Sequence, residues 1–244
     1  MSRYHAAESP GERRFGGLSV PDPAFADDDG SVTPTVVAAL EAVATGSAPA
    51  TDLVGALGGQ RLMVPLVAVL DEAEEVDGHR VEKSSHMATV TLVAGDGRRG
   101  LLAFTSVASM AAWDPSARGI PARAETVAAA ALEESADAVL LDVAGPRPTA
   151  VERGVLAAIC AADPATVRDL VTRAVPALPG LRGHRVETGD DGAVTVLLSL
   201  AEGYDGDAVT IARAVATALS ADPAASGVLG RGLSVGLEAS DPEF

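Results

Sequence analysis

A single cysteine, four histidines and a single lysine are the residues from which this chain would build covalent or metal chemistry. Cys160 lies in the apolar run VLAAIC, which reads as a buried thiol in an alanine-rich helix. A reactive thiolate instead needs an electropositive, partly exposed loop. His5, His79, His86 and His184 stand apart in sequence, with no Cys or His at metal-ligand spacing, so each reads as a solvated or satisfied imidazole. No Gly-x-Ser-x-Gly elbow joins a strand to a helix, so the serines offer no acyl-transfer nucleophile. Catalytic residues, cofactor and metal are therefore all expected to be none.

Five short segments and one tryptophan offer weaker chemistry. GDGRRG, residues 95–100, is glycine-rich but joins two strands, whereas a phosphate loop feeds a helix whose N–H groups face the anion. It reads as a hairpin turn displaying Arg98 and Arg99. Asp27, Asp28, Asp29 and Gly30 lack the spaced ligands and terminal Glu of a calcium loop and read as a solvated acidic turn. Asp71, Glu72, Glu74 and Glu75, like Glu133 with Glu134, read as solvated carboxylates, since no partner is placed against them. In EKSS, Lys83 is the one lysine among 18 cationic side chains, and what lysine does and arginine cannot is titrate near neutrality or attack as a free amine. Chance retention in a loop is the plainer reading, and binding ranks above catalysis. Trp113, the only tryptophan, reads first as core packing at a helix end and second as a ligand platform. Lys83, Ser84, Ser85, Arg98, Arg99 and Trp113 form the candidate binding surface.

The elements that would position these residues follow from periodicity. Thr33-Pro34 predicts an N-cap hydroxyl and first-turn proline, opening TVVAALEAVA as a helix that ends near Gly46. TDLVGALGG is a shorter helix, and RLMVPLVAVL is a buried strand. MATVTLVA alternates as one strand and pairs with LLAFTS across the GDGRRG turn. SVASMAAW is a short helix, DPSARGIP a loop, and AETVAAAALEESADAVLLDVAGP a helix followed by a strand, with Ala124, Val127, Ala128, Ala131 and Leu132 on one stripe. Asp163-Pro164 repeats the helix-start signal, with Val167, Leu170, Val171 and Ala174 inward. Strands at about 181–188 and 193–200, a helix from Asp207 and the closing strand GLSVGLEA complete an α-β-β-α-β unit. GHRVE occurs at 78–82 and again at 183–187, which hints at duplication, but the identity stops there.

The expected class is α/β (α+β): two mixed domains, each a small sheet covered by helices. Residues 1–32 read as an unstructured tail, 33–146 as the first domain, 147–162 as linker and connecting helix, and 163–244 as the second domain. The tail carries Tyr4, Phe15 and Phe25, which suggests that it docks. Composition is 48% hydrophobic and 3% aromatic over 244 residues. Neither an 18-residue apolar run nor a signal-peptide core is present, so the expectation is a soluble cytoplasmic chain with no membrane contact. A net charge of −16 with scattered cations excludes nucleic-acid binding by a bulk basic surface.

RLMVPLVAV, EKSSHMATVTLVAGDGRRGLLAFTSVASMAAWDPSARGIP and ESADAVLLDVAGP together form a pattern that resembles the bacterial SseB family, named for enhanced serine sensitivity. FGGLSVPDPAFADDDG resembles the lead-in of actinobacterial members, and the C-terminal half resembles the family's second domain. The resemblance implies a cytoplasmic protein with N- and C-terminal SseB domains and no catalytic residues to carry over. The function expected is non-enzymatic binding or regulation through a protein partner. The alternatives are a sensor of amino-acid-related small molecules and an accessory enzyme of sulfur or serine metabolism.

Overall fold

The computed structural model describes residue 25 and residues 28–70, 85–189, 193–230 and 232–238. Helix α1, Pro34–Ala44, opens on proline as expected and buries Val36 and Leu40. Thr33 does not cap it: its hydroxyl donates to Gln60 Oε1 at 3.0 Å, tying the helix start to the loop after α2, Leu53–Leu57. Strand β1, Arg61–Leu70, pairs antiparallel with β2, Ser85–Thr89, on one side and with β5, Arg118–Arg123, on the other. Strands β3, Thr91–Val93, β4, Arg99–Ala103, β6, Ala138–Leu141, and β7, Thr149–Glu152, form a second sheet in the order β3-β4-β6-β7. Its central pair, β4 and β6, is parallel, and the intervening chain holds α3, Val107–Trp113, and α4, Ala124–Glu133. Met63 and Phe104 exchange backbone hydrogen bonds at 2.7 and 2.9 Å and join the two sheets.

The C-terminal portion contains α5, Arg153–Ala161, α6, Pro164–Ala174, β8, Leu181–Thr188, β9, Val194–Leu200, α7, Ala208–Ala221, α8, Pro223–Val228, and β10, Leu233–Leu237. Its sheet runs β10-β9-β8, with β10 parallel to β9. Asp163, Asp207 and Asp222 cap α6, α7 and α8 with their carboxylates. The chain is thus a mixed α/β protein. One continuous buried cluster runs from Val36 through Leu132, Leu156 and Cys160 to Val215 and Val228. The stripe expected on α4 is buried throughout, and its alanines let α5 approach closely.

Three local expectations differ from the fold. MATVTLVA is not one strand: it divides at Val90, whose carbonyl accepts from Leu102 N–H, so that β2 serves the first sheet and β3 the second. DPSARGIP does not end as loop but enters β5, where Pro121 is tolerated because β5 is an edge strand. The stretch expected as linker and connecting helix contains β7 before α5. Four residues with Ala150 and Glu152 facing out leave too short an alternation to signal a strand.

Candidate functional site

The second sheet buries one face and leaves part of the other open. Leu101, Ala103, Val139, Leu141 and Val151 are buried in the main core, on the face where α4 and α5 pack. Alternation sends Leu92, Gly100, Leu102, Leu140 and Ala150 to the opposite face. There α3 covers Leu102 and Phe104, which with Met63 and Met110 form a second, smaller buried cluster. Trp113, at the end of α3, is half-buried against Phe104, with ring centroids 5.6 Å apart and planes inclined by 34°. Val90, Leu92, Leu140 and Val143, packed against the same cluster, are also only half-buried. Leu140 lies flat on the sheet because Gly100 stands beside it, where a Cβ would fall 2.6 Å from the leucine side chain.

The position of α3 is fixed locally. Ser106 Oγ accepts from Ser109 N–H at 2.9 Å, and Ser106 N–H donates to Ser109 Oγ at 3.1 Å, a capping box in which serine takes the usual Glu place. Asp142, after β6, adopts φ of 51° and accepts from Thr105 N–H and Oγ1. Asp142 therefore clasps the C-terminal ends of the parallel pair β4 and β6.

Lys83 and Ser84 lie outside the described residues, and Ser85 begins β2 opposite Leu70. Arg98 is exposed, with Nε 2.9 Å from Asp96 Oδ2. The Asp96 hydrogen bond and charge, joined by the charge of Glu152, hold its guanidinium above the ordinary arginine range. Arg99, its neighbour on the same turn, is half-buried: Nη1 donates to Glu134 O at 3.2 Å, satisfying a carbonyl at the end of α4. Of the expected surface, the structure thus brings Arg98 and Arg99 onto one turn and sets Trp113 on α3. Ser85 stands at the end of β2 remote in sequence from that turn. Leu92, Leu140 and Val143 were not singled out from sequence. The inward-outward alternation of VTLVA and AVLLDV was their only signal, and it does not say which face a helix covers.

The remaining candidates that fall among the described residues are placed as follows. Cys160 is fully buried, its Sγ 3.7 Å from Glu125 O, and burial, reinforced by the charges of Glu125, Glu133 and Asp163, pushes the thiol up to about 12. Burial also raises Glu134, with Arg99 opposing, while Glu133 is paired with Arg173. GDGRRG forms the expected hairpin turn, with Gly97 at φ of 86°. Asp28 and Asp29 accept from Gly30 and Ser31 N–H, as turn carboxylates do. His184 sits half-buried on β8. Among the described residues no group of His, Cys, Asp or Glu is arranged to hold a metal ion, and no helix is long and apolar enough to cross a membrane.

No curated protein and no solved structure matches this chain. Residues 36–158 match the family described as SseB protein N-terminal domain, a span that begins in α1 and ends in α5 and includes both the half-open sheet face and the Asp142 clasp. The chain therefore belongs to the SseB family.

Proposed function

We propose that this SseB-family chain works in the cytoplasm by non-covalent binding, as a regulatory protein rather than a catalyst, and that a protein partner docks on the half-open face of the β3-β4-β6-β7 sheet. The observation that supports this reading is the group Leu92, Leu140, Val143 and Trp113, half-buried apolar side chains packed against one small cluster on a sheet whose other face lines the main core. A tryptophan braced by Phe104 is a pre-organised anchor, the residue type that dominates interface energetics. Arg98 stands exposed on the adjoining turn and supplies a rim cation on a chain of net charge −16, where it steers acidic groups of the partner. The surface expected from the sequence also includes Lys83, Ser84, Ser85 and Arg99, of which Lys83 and Ser84 lie outside the described residues.

The test is quantitative capture from the native host with the full chain, Leu140→Glu and Leu92→Glu, beside circular dichroism of each. Placing a carboxylate on the apolar face lowers recovery of the same partner at least about tenfold while the fold is retained. Undiminished recovery by both folded variants removes this face from the account.

A further inference from the structure

Strand β8 is the outer strand of the β10-β9-β8 sheet and, at eight residues, the longest edge strand among the described residues. It also lacks proline, whereas the edge strand β5 carries Pro121 and so a missing donor. Gly189 N–H donates to Ala193 O at 2.9 Å, which sets the phase of the β8-β9 ladder. Arg185 and Glu187, opposite Leu197 and Thr195, therefore turn their backbone groups toward β9. His184, Val186 and Thr188 turn theirs outward, where no hydrogen bond among the described residues reaches them. Such a row of open donors and acceptors is a template for another strand. The side chains divide by the same alternation: Val186 is buried beside Val196, while Arg185 and Glu187 stand on the opposite face with side chains 58% and 52% exposed. Arg185 Nη2 lies 3.4 Å from Glu187 Oε1 and 3.3 Å from Glu238 Oε1, so opposite charges alternate along this edge.

We infer that β8 pairs antiparallel with β8 of a second copy of this chain, about a twofold axis at Val186, and joins the two three-stranded sheets into one. Only residues whose backbone groups face outward can sit on that axis, so Val186 meets Val186 and His184 meets Thr188 as hydrogen-bonded pairs. Arg185 then stands directly opposite Glu187 of the second copy, in the non-hydrogen-bonded position where side chains approach most closely. The twofold repeats that pair on both sides of the axis, so the edge is complementary to itself. Charges on an edge ordinarily keep other strands away, and this order of signs admits a copy in one register. Centring the axis on His184 instead sets Arg185 against Gly183 and forfeits the pair. The edge belongs to the C-terminal sheet, so the inference does not rest on the partner proposed for the β3-β4-β6-β7 face.

The experiment is sedimentation equilibrium of the full chain over a concentration series, with circular dichroism of each variant. Wild type shows a reversible equilibrium between monomer and dimer, since one strand edge buries little area, and no larger species, since a twofold contact closes on itself. Arg185→Glu and Glu187→Arg each set like charges across the axis and raise the dissociation constant at least about tenfold. An equimolar mixture of those two variants recovers the dimer, because each copy then faces the opposite charge, and a change within either fold cannot produce that recovery. Wild type that stays monomeric at every concentration overturns the inference. So does a dimer that both variants leave unchanged, or a mixture that stays monomeric where wild type associates.

Discussion

Both oxygens of the Asp142 carboxylate are engaged by Thr105, Oδ1 by its N–H at 2.9 Å and Oδ2 by its hydroxyl at 2.6 Å. The backbone of Asp142 is left-handed, a conformation that Asp tolerates better than most residues. One side chain thus locks β4 to β6 and sets where α3 begins. Asp142→Ala should cost about 2 kcal/mol, the worth of a charged hydrogen-bond pair plus strain without Asp's local compensation. Urea unfolding measures it. Asp142→Gly should recover part of the loss by relieving the φ strain, and equal midpoints for the two variants would show that strain contributes nothing.

Cys160 should be inert to thiol reagents in the native protein and react fully in denaturant. Its thiol is buried and raised to about 12, so almost no thiolate exists near neutral pH. Cys160→Ser should leave cellular function intact. Rapid labelling of the folded chain would contradict the buried placement.

Two arginines adjacent on one turn should behave differently. Arg98→Glu should leave the unfolding midpoint nearly where it is, because its side chain is exposed and its ion pair is with Asp96 on its own turn. Arg99→Glu should lower stability by roughly 1 kcal/mol, since it removes the donor to Glu134 O and adds a third carboxylate beside Glu133 and Glu134 at the end of α4. In partner capture the order should reverse, with Arg98→Glu the more damaging. Lys83→Arg should be tolerated if that lysine contributes charge alone.

Stability should fall at acid pH. The Thr210 hydroxyl and the Val209 N–H hold Asp207 below its ordinary value. At Asp163, burial pushes upward, but the Thr166 hydroxyl and N–H, joined by the Ala165 N–H and the charge of Arg123, bring the net shift downward. A carboxylate lowered on folding adds stability that is complete above its unfolded value of 3.8 and is lost as pH falls through the lower folded value. Thermal melts from neutrality down should therefore hold until about pH 4 and drop below it. Asp163→Asn with Asp207→Asn should flatten that drop, and an unchanged acid profile in the double variant would assign it elsewhere.

Much of the architecture was legible because helix and strand periods are local. Asp163-Pro164 and Asp207 act as helix starts, the α4 stripe is buried, and β8 and β9 fall where alternation placed them. What escaped was set by tertiary context. Strand β5 contains Gly119 and Pro121, which argue against a strand until an edge position makes the missing donor harmless. Val90 divides an unbroken alternation because two sheets compete for it. The candidate site was half legible: Trp113 stood out by rarity and Arg98 by its turn. Leu92 and Leu140 look like any core leucines until the fold shows them only half-buried. Arg61, at the head of an apolar strand, gave no sign that its charge is buried.

The most direct test of partner docking is site-specific photocrosslinking in the native host. A benzophenone side chain replaces Leu140 on the half-open face, and a control replaces Val209, which is 61% exposed at the start of α7. The account predicts one adduct of defined mass at position 140, lost when Trp113→Ala is added, and none at position 209. No adduct at position 140, or the same adduct at both positions, would contradict it.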